Sequence, residues 1–317
     1  METIATPWMW AGFFAFVVAA TAVDLKVLSA RGATRVSVKE ALGWSVLWVA
    51  LSLTFAGWLW WHLAGSVGAD IAREKTLEFL TGYLIEKSLS VDNIFVFLML
   101  FTYFAVPPEL QRRTLVYGVL GAIALRIVMI LIGAWLIAKF HWIIYVFGLF
   151  LLLTGAKMLF FAGDKPDLEK NPALRWMRSH LPVTPGFQGE RYWVLQSGVR
   201  TFTPLFLVLV MIAITDVVFA VDSIPAIFAI TDDPFIVMTS NIFAVLGLRA
   251  LYFVLADMAD RFHLLSYGLA LVLMFIGTKM LLIDVFKIPV FLALGVVLAL
   301  IAASIVASLV VRPKPGS

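Results

Sequence analysis

Apolar stretches of about twenty residues follow one another along the whole chain, near 7–29, 41–63, 77–104, 114–138, 141–162, 202–229, 235–257, 263–284 and 288–311. Twenty helical residues rise about 30 Å, the thickness of a bilayer's hydrocarbon core, where only helices and closed barrels satisfy every backbone donor and acceptor. The pattern predicts an all-α membrane protein with about nine transmembrane helices. Composition agrees, since 62% of the 317 residues are hydrophobic and only 14% charged. A soluble domain carries about 25% charged residues, so this chain lacks the polar surface to face water. The first window opens at Pro7 without a preceding Lys or Arg and runs past the length of a cleavable signal, so it reads as a retained helix.

The formal charge of +4 is sorted by position. Arg31, Arg35 and Lys39 follow the first window, Arg112 and Arg113 the third, and Lys165, Lys170, Arg175, Arg178, Arg191 and Arg200 the fifth, while Asp232 and Asp233 lie in an intervening loop. Excess Lys and Arg mark cytoplasmic loops, so the N-terminus is expected outside (periplasmic) and the C-terminus inside. These bases orient helices, and no nucleic-acid partner is expected. Residues 163–200, rich in Pro and Gly, read as a cytoplasmic linker whose PALRWMRSHLPV stretch has the pattern of a short basic amphipathic helix or of a plain solvated connection.

The chain resembles itself across that linker. Phe140-His141 recurs as Phe262-His263, and Gly155-Ala156-Lys157-Met158-Leu159 as Gly277-Thr278-Lys279-Met280-Leu281, both at an offset of 122. Arg126 matches Arg249, and Val91-Asp92-Asn93-Ile94 matches Val221-Asp222-Ser223-Ile224. Windows three to five (77–162) thus match windows six to eight (201–285), with 7–63 and 288–311 flanking them in a single membrane domain. Three crossings per unit place the second copy upside down, the inverted-topology repeat of secondary transporters.

Charges inside the windows carry the chemistry. Asp24, Glu86, Asp92, Asp216 and Asp222 each cost about 2.5–3.5 kcal/mol near a helix centre if uncompensated. They must meet a partner, water or a cation. Lys87, Arg126, Lys157, Arg249 and Lys279 are candidate counter-charges, and simple ion-pair glue between helices is the plain alternative. Glu86 and Asp92, like Asp216 and Asp222, are six residues apart and do not share a face on a regular helix. A helix break at Pro225, and at the Ser90 and Asn93 motif, would let them converge and would free backbone carbonyls.

With no Cys anywhere, carboxylates, Asn93, Ser223 and carbonyls form an oxygen-rich donor set suited to Mn²⁺, Mg²⁺ or Ca²⁺ rather than Zn²⁺ or Cu⁺. His62, His141, His180 and His263 read as polar residues at span ends or in the linker, and Trp8, Trp10, Trp58, Trp60 and Trp61 as an interfacial belt. No phosphate-binding Gly loop, HExxH motif or nucleophile-base arrangement is present, so no enzyme is expected.

The stretches TGYLIEKSLSVDNIFVFLMLFTYFAVPPELQRRTLVYGVLGAIALR from Thr81 to Arg126 and DVVFAVDSIPAIFAITDDPFIVMTSNIFAVLGLRALYF from Asp216 to Phe253 resemble the TerC family, its Alx-type members in particular. The resemblance implies a polytopic bacterial inner-membrane protein concerned with manganese export and homeostasis, in a family named for tellurite resistance. It maps Asp24, Glu86, Asp92, Asn93, Asp216, Asp222 and Ser223 onto the family's intramembrane polar motifs. In one departure, many members carry Glu three residues before the aspartate matching Asp216, where this chain has Ala213.

The expected function is secondary transport of Mn²⁺ out of the cytoplasm, driven by protons or membrane potential, through a midplane carboxylate site. The rivals are a tellurite or oxyanion transporter using Arg126 and Arg249, and a non-transporting assembly or metal-delivery factor that binds secretion-machinery proteins.

Overall fold

The computed structural model describes residues 3–31, 37–140, 142–160, 168–196, 198–256, 264–286 and 288–311. His141 and His263, and the side chains of Asp24 and Asp92, lie outside the described residues. The chain is mostly α-helical: α1 (Pro7–Arg31), α2 (Val38–Ser66), α3 (Ala69–Tyr103), α4 (Pro108–Lys139), α5 (Ile143–Phe160), α6 (Pro172–His180), α7 (Pro204–Phe228), α8 (Pro234–Leu246), α9 (Leu248–Ala256), α10 (Leu265–Leu281) and α11 (Val290–Val310). A short antiparallel hairpin, β1 (Trp193–Gln196) and β2 (Val199–Phe202), stands between α6 and α7.

Helix starts follow local chemistry. Proline occupies the first turn of α4, α6, α7 and α8, where its missing N–H has no intrahelical acceptor to lose. Asn171 accepts from the backbone of Ala173 and Leu174, and Asp233 from Phe235. Asp233 also accepts from Thr3 Oγ1 and Ile4 N, tying the N-terminal segment to the start of α8.

Helix covers each apolar window, but not uniformly. Five helices (α2 from Lys39, α4, α5, α7 and α11) are long and apolar enough to cross a membrane, and α8 with α9, bent by 42° at Gly247, makes a sixth. The apolar part of α1 and the 17 residues of α10 are shorter, the latter rising about 25 Å. α3 has 35 residues, yet Asp70, Arg73, Glu74, Lys75, Glu78, Glu86, Lys87 and Asp92 dilute its apolar character.

Two expectations are corrected. α3 and α7 run unbroken through Ser90–Asn93 and through Pro225. Ser88 and Ser90 donate to the carbonyls of Leu84 (2.7 Å) and Glu86 (2.6 Å) one turn back, so the hydroxyls decorate the helix instead of opening it. Pro225 falls in the last turn of α7, where one missing bond is followed by only three residues of helix. The break sits at Gly247 instead, between α8 and α9. In the segment 163–200 the described part folds as a short 3-10 turn, as α6, which is the short basic helix that PALRWMRSHLPV offered, and as the hairpin, which extends to Phe202 and was not expected.

The packing brings helices from the two halves together. α3 and α8 run side by side in the same direction: Gly82 lies against Ser240, and Lys87 reaches Ala244. α4 and α7 do the same, Gly118 against Ile212 and Gly133 against Phe228. α5 and α10 cross antiparallel with their backbones nearly touching. A Cβ on Gly155 would stand 2.7 Å from the Ala270 carbonyl oxygen, and one on Gly277 would stand 2.7 Å from that of Gly148. Small residues permit this approach, which in lipid replaces hydrophobic driving force with close van der Waals contact.

Candidate functional site

A seven-residue step is two helical turns less about 20°, so Glu86 and Asn93 share one face of α3, and Asp216 and Ser223 share one face of α7. All four are buried, with Glu86 and Asp216 fully so. Arg126, also fully buried, reaches between the helices from α4. Its guanidinium donates to Glu86 Oε1, to Asn241 Oδ1 at 2.8 Å and to Asp216 Oδ1 at 3.2 Å. The planar, forked guanidinium holds its donors in one fixed plane, which lets it reach acceptors on three different helices. With both carboxylates ionised, two negative groups and one positive leave a net charge of −1.

The acids therefore converge in a different combination from the one their spacing suggested. Glu86 and Asp216, one from each half, meet around Arg126. Asp222 is turned away and faces Thr154 and Lys157 of α5. The side chains of Asp24 and Asp92 are not described. Arg249 is buried on α9, and Ala213, one turn before Asp216, is half-buried and supplies no oxygen. Among the described residues no group of three or more His, Cys, Asp or Glu side chains could hold a metal ion.

Around the trio, polar atoms remain unpaired. Glu86 Oε2, Asp216 Oδ2, Asn93 Oδ1 and Ser223 Oγ are buried and accept no hydrogen bond. An unsatisfied buried acceptor costs about 1–3 kcal/mol, more when charged, so the two carboxylate oxygens left open at the ion pair mark a place built for something other than stability. Asn93 and Ser223 each stand about 10 Å along their helices from the acids, extending a polar stripe through an apolar bundle.

Two lysines cap helix ends. Lys87 donates to the Ala244 carbonyl at 3.2 Å, in the last turn of α8, and Lys279 to the Ala229 carbonyl at 2.9 Å, at the end of α7. Both positions combine free carbonyls with the negative end of a helix dipole. The Gly247 break makes room for the first, since a Cβ there would stand 2.5 Å from Lys87 Nζ and 3.3 Å from Trp48 Cβ. Gly247→Ala is expected to displace the ammonium and leave the Ala244 carbonyl unpaired, a loss of about 1–3 kcal/mol. In a Lys87→Met background the same change should be nearly neutral, and equal losses in both backgrounds, measured by thermal unfolding in detergent, would refute the link.

Asn241 was not anticipated. It is uncharged and sits in TSNIFAVLGLR, but the three polar residues Thr239, Ser240 and Asn241, all fully buried, were a readable signal.

Comparison with known proteins agrees with this architecture. The profile described as "Integral membrane protein TerC family" matches residues 71–315. Alx of Salmonella typhi, whose name describes it as a membrane-bound redox modulator, is 54% identical over 306 residues, covering 96% of this chain and 95% of its own. The protein of the same name from Escherichia coli K12 is 52% identical over the same shares of the two chains. The uncharacterized membrane protein STKORF319 of Myxococcus xanthus is 48% identical over 313 residues, 98% of this chain and 95% of its own. No solved structure matches the chain. With a family profile over most of its length and relatives above 50% identity end to end, this chain belongs to the TerC family of integral membrane proteins.

Proposed function

We propose that the protein is a secondary transporter that exports Mn²⁺, or a divalent cation of similar hardness, from the bacterial cytoplasm, with Glu86 and Asp216 as the principal ligands. The observation that carries this reading is the pair of buried, unpaired carboxylate oxygens on Glu86 and Asp216 beside their shared Arg126, with unpaired oxygens of Asn93 and Ser223 about 10 Å further along the two helices. Carboxylate, amide and hydroxyl oxygens form a hard-cation donor set. Arg126 acts as the internal cation that holds both acids when cargo is absent. For cargo to bind, the guanidinium must swing off the carboxylates or the carboxylates must rotate away, and proton entry offers the same acids a second way to be neutral. Asp92, Asp222 and Asp24 would then line the route, with Lys157, Lys279 and Arg249 as counter-charges.

The reading includes nine spans in an inverted repeat, N-terminus periplasmic and C-terminus cytoplasmic in the inner membrane, and the helix packing supports the repeat. Gly155 is the repeat counterpart of Gly277, as Gly148 is of Ala270, and the contact of Gly155 with Ala270 is matched by that of Gly277 with Gly148. The contact of Gly82 with Ser240 has a near-counterpart in that of Ile212 with Gly118, one residue from the Tyr117 that the repeat pairs with Ser240. Such reciprocal contacts follow from a pseudo-two-fold axis in the membrane plane. The pairing of α3 with α8 and of α4 with α7 follows from it as well.

The oxyanion reading fits less well, because two carboxylates and an amide already engage Arg126. The relatives' name invokes redox modulation, but a chain without Cys has no thiol–disulfide couple of its own. Any redox effect would pass through the cation it moves. In proteoliposomes, Glu86→Gln and Asp216→Asn are each expected to lower Mn²⁺ flux at least about tenfold, equivalent to losing ~1.4 kcal/mol of ion binding. Unchanged flux in both would overturn the assignment. A wild-type protein that moves no cation would favour the assembly-factor reading.

A further inference from the structure

The hairpin between α6 and α7 has no place in the transport site, yet it is firmly built. At its root, Glu190 pairs with Arg113 of α4, and Tyr192 packs edge-on against Tyr117, ring centres 5.7 Å apart at 86°. Burial pushes the Tyr192 phenol up to about 12, so it stays neutral. Thr203 donates its N–H to the Tyr192 carbonyl (3.0 Å) and its hydroxyl to that of Arg191 (2.8 Å), and Phe202 packs on Phe206 in the first turn of α7, ring centres 4.4 Å apart and tilted by 30°. Tyr117 lies nine residues into α4, about 13 Å along its axis, so the hairpin lies alongside the first turns of two spanning helices instead of standing clear of them.

Its two faces differ. Val194 and Thr201 are paired across the strands and turned toward the protein, Thr201 being buried. On the opposite face, Trp193 (53% exposed), Leu195 (74%) and Arg200 point outward, and Val199 (58%) is exposed beside the turn. Arg191 and, on α6, Arg175 and Trp176 are exposed as well. The adjoining acid, Glu190, is taken up by Arg113. Indole, aliphatic and guanidinium groups on one outward face match the boundary between headgroups and acyl chains, with apolar bodies in and cationic tips out. The excess of bases selects acidic headgroups.

We propose that the β1–β2 hairpin is a membrane-surface anchor that seats Trp193 and Leu195 at the headgroup boundary and binds acidic phospholipid through Arg191 and Arg200. The proposal rests on α4 and α7 crossing the bilayer and is independent of the cargo. Because the helices of the site begin at this point, the lipid contact would fix the level of α7, and with it Asp216, in the bilayer.

The absence of native Cys makes the test direct, since Leu195→Cys gives the full-length protein a single thiol for a nitroxide label. In nanodiscs of phosphatidylcholine and phosphatidylglycerol, the label is expected to collide more with oxygen than with a water-soluble nickel chelate. Native mass spectrometry of the solubilised protein is expected to show fewer retained phosphatidylglycerol molecules for Arg191→Gln/Arg200→Gln than for the parent. Both arginines are exposed, so unchanged thermal unfolding serves as the folding control. A chelate-dominated label would overturn the anchor, including the case in which a protein partner covers this face. Equal lipid retention in variant and parent would overturn the acidic-lipid contact.

Discussion

Replacing Arg126 by methionine is expected to cost the folded protein about 3–5 kcal/mol, because it leaves Glu86 and Asp216 buried against each other without their shared cation. Arg126→Lys should recover only part of this, since one ammonium cannot serve three acceptors in the guanidinium's plane. Neutralising all three groups, with Glu86→Gln and Asp216→Asn added to Arg126→Met, should restore much of the stability, as buried ion pairs often exchange for neutral groups without loss. The more discriminating arm is ligand rescue. If the acids are the cargo site, Mn²⁺ should raise the unfolding temperature of Arg126→Met more than that of the parent, since the ion then replaces the lost guanidinium and stabilises only the folded state. An Arg126→Met protein as stable as the parent would remove the ion pair from the account of the fold. One that is unstable but indifferent to Mn²⁺, Mg²⁺ and Ca²⁺ would leave the trio as glue between helices.

The residues of this trio were legible because charge in an apolar run is conspicuous, and the repeat marked Glu86 and Asp216 as a matched pair. Their meeting was not legible, because spacing along one helix says which residues share a face and nothing about which face of another helix it meets. The expectation that each acid pair would converge by a local break looked for a solution within one helix, whereas the chain solves the problem between α3, α4 and α7. Pro225 drew attention for its chemistry, but Gly247, with no Cβ and a lysine to accommodate, is where the backbone bends. The hairpin was readable and overlooked. Trp193-Val194-Leu195-Gln196 and Val199-Arg200-Thr201-Phe202 flank Ser197-Gly198, and Gly198 has a φ of 79° that suits a two-residue turn. Surrounding prolines gave the whole stretch the look of a connection, and composition over forty residues hid an eight-residue pattern.

Valine at Gly155 or Gly277 should be among the most damaging uncharged substitutions in the molecule. A Cβ at 155 would stand 2.7 Å from the Ala270 oxygen and 2.9 Å from the Met274 nitrogen, and one at 277 would stand 2.7 Å from both the Gly148 oxygen and the Leu152 nitrogen. These neighbours are backbone, so no side chain can swing aside, and α5 and α10 must separate along their whole contact. Overpacking of this kind costs roughly 1–3 kcal/mol and more where rigid elements cannot shift. Gly121→Ala is the control, because a Cβ there meets nothing within 4 Å and the better helix former should be neutral or stabilising by up to about 1 kcal/mol. If the two halves are related by a pseudo-two-fold axis, the losses at 155 and 277 should be similar. The double variant should then lose less than their sum, since either substitution alone already parts the same pair of helices. Additive losses, or damage at one position only, would mean that the reciprocal contacts of Gly155 and Gly277 are coincidental, and the inverted repeat would lose its strongest structural support.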